Sequence, residues 1–355
     1  MTATSGAPVP VPVPMPVPMP VGVPVPVGVP VGVPSVRAAA GRRRPEVPPG
    51  GVLPRRRIAA VAAALAALLA GSAAAAPPDP LLASRLDARA AVRERPGMWI
   101  GASVARGERA VVVGSPRRLV AEIAALADRA GRTVTRVWGG YGGAVVLVPR
   151  TEEQAAVLTA PAKVDDLAAV ATGGRVIVQP AAFARLSATG RMVVVTHELT
   201  HVATAGPPTV PMWLKEGFAD YVGYLDSGLP VRTIAAELAA DVAADGTTDE
   251  AADGTADGAA DGTADGAADG TAGRAALNAL PGPADFAARP AQAYEEAWLA
   301  CRYIAARFGE RRLVALYRAT LREGIGPALR EVLGLTADGL TREWRSYARE
   351  RLARP

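Results

Sequence analysis

The stretch His197-Glu198-Leu199-Thr200-His201 contains both histidines of this 355-residue chain. Positions i and i+4 of an α-helix lie one turn apart on the same face, so two imidazoles at this spacing can bind one metal ion. Glu198 stands between them as a candidate base. The spacing therefore predicts a helix with a metal site on one face.

Residue patterns on both sides of this stretch predict an α+β fold. Apolar runs predict strands at 109–114, 144–148 and 175–179. Helical periodicity predicts helices at 117–131, 181–186, 191–205, 212–226, 291–308, 311–323, 327–333 and 340–352. Strands mixed with helices come first and helices alone follow, which is the order of an α+β domain.

Composition separates the first 76 residues from the remaining chain. Residues 1–57 are rich in proline and valine and then in arginine, and this composition predicts a disordered arm. The uncharged, alanine-rich run at 58–76 follows three arginines, which favours a signal peptide, with a single transmembrane anchor as the alternative. Both interpretations place the domain at 81–355 outside the cytoplasm, secreted or at the cell surface.

An acidic repeat interrupts the predicted helices of the C-terminal half. Residues 241–273 contain Ala-Asp-Gly-Thr and Ala-Asp-Gly-Ala units at a period of four. Frequent glycine and net negative charge predict a disordered insertion. Asp-Gly units can also supply oxygen ligands to calcium, but their spacing matches neither the EF-hand loop nor the nonapeptide calcium repeat.

The net charge of +5 is concentrated near the N-terminus. Residues 1–76 contain seven arginines and one glutamate, and the positive-inside rule explains arginines beside an apolar run. The arginines after residue 301 lack interleaved aromatic residues and indicate a solvated helical surface. We therefore expect no nucleic-acid partner, and we expect a monomer. Membrane association would come from residues 58–76.

A third metal ligand must come from outside the histidine stretch. Catalytic zinc usually takes three protein ligands and keeps a fourth position for water. Cys301, the one cysteine, lies in an apolar helical pattern that predicts a buried thiol. Glu216 is the best candidate, because it begins a predicted helix shortly after His201. Asp220, four residues on, shares its face and can accept a hydrogen bond from a ligating imidazole.

These residues together resemble a known family. The chain is similar here to the gluzincin metallopeptidases, in their small secreted or membrane-anchored branch. The similar residues are His197–His201 and, after them, Trp213-Leu214-Lys215-Glu216-Gly217-Phe218-Ala219-Asp220-Tyr221. The resemblance covers residues 191–226 specifically. It implies one zinc ion per chain, held by His197, His201 and Glu216. It also implies a small mixed sheet, then the metal-binding helix and a mostly helical C-terminal subdomain.

The resemblance also assigns roles to the remaining site residues. It makes Glu198 the general base for a zinc-activated water, and Asp220 the residue that orients His197. A tetrahedral oxyanion needs a further donor, and Tyr294 stands where related peptidases carry a tyrosine. Tyr221 and Tyr224 are competing candidates. In this family the strand before the active-site helix commonly pairs with extended substrate, so residues 175–179 are expected to bind peptide by strand addition.

The predicted function is hydrolysis of peptide bonds in a peptide or protein substrate. The Gly-x-Met-Glu-Asn stretch of gluzincin aminopeptidases is absent, and the corresponding region reads Gly173-Gly174-Arg175-Val176-Ile177. An endopeptidase is therefore expected. The alternative is a non-catalytic cell-surface binding protein that keeps zinc for structure.

Overall fold

A computed structural model describes residues 79–160, 167–207, 209–252, 277 and 279–353. The predicted arm at 1–57 and the apolar run at 58–76 lie outside the described residues. No helix in the described part of the chain is both long and apolar enough to cross a membrane.

Five strands and thirteen α-helices are present in the described residues, and the predicted α+β class is confirmed. The strands are β1 (Ser103–Arg106), β2 (Ala110–Gly114), β3 (Ala144–Val148), β4 (Ala169–Thr172) and β5 (Arg175–Val178). The first helices are α1 (Leu82–Glu94), α2 (Arg117–Trp138), α3 (Glu152–Thr159), α4 (Pro180–Arg185), α5 (Ala188–Ala203) and α6 (Met212–Tyr224). The remaining helices are α7 (Val231–Ile234), α8 (Ala236–Ala252), α9 (Pro283–Ala288), α10 (Pro290–Phe308), α11 (Glu310–Glu323), α12 (Ile325–Leu333) and α13 (Ala337–Ala353).

The sheet is mixed, with strand order β1-β2-β3-β5-β4. Strands β2, β3 and β5 are parallel, and the edge strands β1 and β4 are antiparallel to their neighbours. The valine runs of β2 and β3 are buried on both faces, as a central parallel strand requires. Val112 and Val146 face the main core with α2, while Val113 and Leu147 face a smaller core beneath α1.

Two helices differ from the sequence predictions. Helix α2 continues past Gly131 to Trp138, because that glycine is a close-approach position and not a helix end: a Cβ there would lie 2.7 Å from the Arg109 Cβ. The chain turns instead at Gly139, whose φ is 107°. Helix α8 continues to Ala252, so residues 241–252 are helical where a disordered insertion is expected. The rest of that insertion, from 253 to 273, lies outside the described residues.

Helix α10 holds the chain on both sides of the acidic insertion. Glu295 Oε1 and Oε2 accept hydrogen bonds from the backbone N–H groups of Glu237 and Leu238 at 3.2 and 2.8 Å, which caps the start of α8. Glu296 Oε1 accepts one from the Leu277 N–H at 2.9 Å. Burial raises the pKa of Glu295 to about 7. These bonds anchor the chain to α10 before and after the acidic insertion.

Candidate metal centre

Helix α5 carries both histidines through the middle of the domain. It begins after Ser187, whose Oγ accepts a hydrogen bond from the Gly190 N–H at 3.0 Å. From Val193 to Thr200 every residue is buried, because α5 packs against α2, α6 and the sheet. His197 and Glu198 are therefore held in an interior that excludes most solvent, with relative exposures of 6% and 2%.

Helix α6 brings the predicted carboxylates to the same place. It begins after Pro211 and packs along α5 and α10. Glu216 and Asp220, one turn apart, are each 3% exposed. Buried carboxylates require a positive charge or hydrogen-bond donors to offset the loss of hydration, and both meet the imidazoles of α5.

His197, His201 and Glu216 form a cluster that could hold a metal ion, and we call them the metal cluster. The Nε2 atoms of the two histidines are 3.0 Å apart. Glu216 Oε2 lies 3.2 Å from His201 Nε2 and 3.4 Å from His197 Nε2. Ligands about 2.0–2.1 Å from a tetrahedral zinc ion are about 3.3–3.4 Å apart. The donor atoms therefore fit a zinc-sized cation.

Asp220 orients one of these ligands. Its Oδ1 lies 2.8 Å from His197 Nδ1, which places the Nδ1 proton between them and leaves Nε2 free to bind a metal. His201 Nδ1 is buried and has no hydrogen-bond partner among the described residues. The predicted pairing of Asp220 with His197 is thus present in the geometry.

The buried charges of the cluster favour a cation. Burial alone would lower the pKa of His197, but the charge and hydrogen bond of Asp220 raise it well above its usual value. Burial would raise the pKa of Glu216, but the charge of His201 and the hydrogen bonds of both histidines hold it well below. Burial raises the pKa of Glu198 and Asp220. A divalent cation can replace the proton that His197 shares with the carboxylates around it.

Glu198 projects from α5 to the edge of the sheet. Its Oε2 accepts a hydrogen bond from the backbone N–H of Ala171 in β4 at 2.7 Å. This bond fixes the carboxylate beside the metal cluster without making it a ligand.

A cavity of about 890 Å³ opens beside the cluster. His201 lines it from α5, and residues 171–174 line it from the end of β4 and the following turn. Apolar side chains supply most of the remaining wall, including Trp213 of α6 and Leu321 of α11. The volume lies within the ~300–1,000 Å³ typical of ligand sites.

The edge strand beside this cavity is β4, whereas the sequence predicts that residues 175–179 bind the substrate. Residues 175–179 were expected to bind peptide by strand addition, but β5 is paired on both sides, with β3 and β4. Strand addition needs an unpaired edge. Strand β4 has that edge, and its final residues line the cavity.

A tyrosine other than the candidates named from the sequence lines the cavity. Tyr294 is buried in α10 with its ring edge-on to Phe286, 5.0 Å between centroids, and it does not line the cavity. Tyr317 of α11 does line the cavity, and its hydroxyl donates to Thr204 Oγ1 at 3.3 Å. No local pattern marks Tyr317, because it reaches the site from a helix far along the chain. The oxyanion role of Tyr294 stays a prediction.

The competing tyrosines face elsewhere. The Tyr221 hydroxyl donates to Glu310 Oε2 at 3.1 Å, and the Tyr224 ring packs on Trp298. Cys301 is buried, as expected. These residues stabilise the contacts of α6 with α10 and α11.

The chain matches no known protein-family profile and no curated protein sequence. The gluzincin resemblance therefore rests on residues 191–226 and on the geometry of the metal cluster. Both support a proposal about function, and membership of the family remains a prediction.

Asp220→Asn should lower zinc affinity about 10–100-fold, because the amide cannot supply the negative charge that orients and polarises His197. Competition with a chelating indicator measures the change. Asp226→Asn is the matched control, since Asp226 pairs with the exposed Arg136 outside the cluster. Equal zinc affinity in both variants would contradict an orienting role for Asp220.

Proposed function

We propose that this chain is a zinc-dependent endopeptidase that acts outside the cytoplasm. The observation that supports this best is the convergence of His197, His201 and Glu216 beside a buried carboxylate and a large cavity. Two imidazole nitrogens and one carboxylate oxygen are a donor set that suits zinc.

In the proposed reaction, the cation and the side chains have separate roles. Bound zinc supplies a Lewis acid that polarises the scissile carbonyl and makes water a stronger nucleophile at neutral pH. Glu198 takes the proton from the attacking water and passes it to the leaving amine. The hydrogen bond from Ala171 holds Glu198 in position for both transfers.

Substrate is proposed to lie along the edge of β4 that pairs with no other described strand. An extended peptide can pair its backbone with this edge, which ends at the cavity wall. Its carbonyl would then lie near Glu198, which is bonded to the same strand. The oxyanion donor is Tyr294 by resemblance, and Tyr317 is a second candidate because it lines the cavity.

The number of ligands favours catalysis over a purely structural zinc site. Structural zinc is almost always held by four protein ligands, whereas catalytic zinc keeps one position open. Within the described residues, three donors meet, and one of them, His201, lines the cavity. A non-catalytic binding protein remains the alternative, and it would bind zinc without hydrolysing peptides.

Metal removal tests the proposal. The purified full-length protein should contain one zinc per chain by elemental analysis and should cleave members of a peptide library, read by mass spectrometry. Dialysis against a chelator should abolish cleavage, and added zinc should restore it. Cleavage that survives complete removal of metal would refute the proposed function.

A further inference from the structure

Among the described residues that line the cavity, one, Lys215, carries an ammonium group. Lys215 precedes Glu216 in α6, and its side chain is 50% exposed. The other described residues that line the cavity are apolar residues, glycines, threonines, Tyr317 and His201, and none of them is acidic. The ammonium group therefore stands beside a largely apolar wall, and its acidic partner Glu216 does not line the cavity.

Lys215 retains capacity to bind a ligand. Its Nζ lies 3.3 Å from Glu216 Oε1, while the other oxygen of Glu216 faces the two histidines. An ammonium group has three N–H donors. Glu216 is the only acidic partner of Lys215 among the described residues, so further donors remain for a group that enters the cavity.

The wall around Lys215 defines the rest of the ligand. Trp213, Val210, Leu321, Ile325 and Leu329 line the cavity and can bury a large apolar side chain. The anion that peptides supply is a carboxylate, and a charge-assisted hydrogen bond to it is stronger than one to a neutral amide.

We propose that Lys215 binds a substrate carboxylate and that the cavity selects peptides in which this carboxylate adjoins a large apolar residue. The carboxylate is either the C-terminal group or an acidic side chain. The inference rests on the proposed function only in taking the cavity as the substrate site.

Binding without hydrolysis tests this inference. The full-length Glu198→Gln protein, loaded with zinc, is titrated calorimetrically with two pairs of probes. Acetyl-Gly-Leu is compared with its C-terminal amide, and acetyl-Glu-Leu-amide is compared with acetyl-Gln-Leu-amide. The carboxylate member of at least one pair should bind about tenfold more tightly than its neutral partner, and the pair concerned identifies the source of the carboxylate.

Variants at position 215 assign the preference to the lysine. Lys215→Met should remove the tenfold difference in affinity, and Lys215→Arg should keep most of it. The control is Arg311→Met, which removes an exposed charge outside the cavity lining and should not change the difference. Because a carboxylate can also ligate zinc, the titration is repeated with metal-free protein. Equal binding within both pairs, a preference that survives in Lys215→Met, or a preference that requires zinc would each overturn the inference.

The outcome is separable from that of the proposed function. A wild-type protein that hydrolyses no peptide but still discriminates through Lys215 would refute the peptidase and keep the carboxylate site. A protein that hydrolyses peptides without this preference would support the peptidase and refute the carboxylate site.

Discussion

Glu198→Gln should abolish peptide hydrolysis while the zinc content stays at one per chain. Glutamine has the shape of glutamate and can still accept the hydrogen bond from the Ala171 N–H, but it cannot take a proton from water. General acid–base catalysis typically contributes about 10²–10⁴-fold to rate. A loss of kcat/KM within this range, measured on a fluorogenic peptide from the library screen, is the expected result.

The zinc content and the thermal unfolding midpoint of the same variant serve as controls. Glu198 is not a member of the metal cluster, so both should match the wild type. Unchanged cleavage by Glu198→Gln would refute the role of this carboxylate as a base, even if chelation still abolished activity.

The core of the fold could be predicted because its signals are local. The valine runs of β2 and β3 can be recognised in the sequence because these strands are buried over their whole length. Helix α2 can be recognised by its periodicity because one of its faces is buried and the other is exposed. The metal cluster could be proposed from local signals too: His197 and His201 share one helix face, and Glu216 lies in the next predicted helix, 212–226.

The edges of the sheet could not be read from apolar runs. Strand β1 alternates half-buried and exposed residues, and half of β4 is alanine, which is depleted in strands, so neither gives a strong strand signal. One signal was nevertheless present. Gly173 and Gly174 both adopt positive φ between β4 and β5, and a Gly-Gly pair between short strands is typical of a hairpin. That hairpin makes β4 the edge and removes residues 175–179 from strand addition.

The cavity wall depends on contacts between elements distant in sequence. Tyr317 and Lys215 reach the same cavity from α11 and α6, and residues 279–283 reach it from beyond the acidic insertion. A single sequence contains no spacing that relates these positions. Tertiary packing decides which tyrosine lies near the metal cluster. The choice between Tyr294 and Tyr317 could therefore not be predicted from the sequence.

Gly217→Ala should destabilise the protein and weaken zinc binding together. Gly217 lies where α6 meets α10, and a Cβ there would be 2.2 Å from the Ala297 backbone oxygen and 3.1 Å from Cys301 Sγ. Alanine is favoured over glycine inside a helix by about 1 kcal/mol. The contact with backbone atoms outweighs this gain, because only separation of the two helices relieves it, and overpacking typically costs about 1–3 kcal/mol or more.

The expected net loss is about 2 kcal/mol in the free energy of unfolding, measured by urea denaturation. Because Glu216 is the preceding residue, displacement of α6 also moves a member of the metal cluster, and zinc affinity should fall at least tenfold. Gly190→Ala is the matched control: it lies in α5, and its added Cβ would meet the nearest atom at 3.4 Å, an ordinary contact. If Gly217→Ala proved as stable as this control and bound zinc as tightly, the close packing of α6 on α10 could not be what positions Glu216.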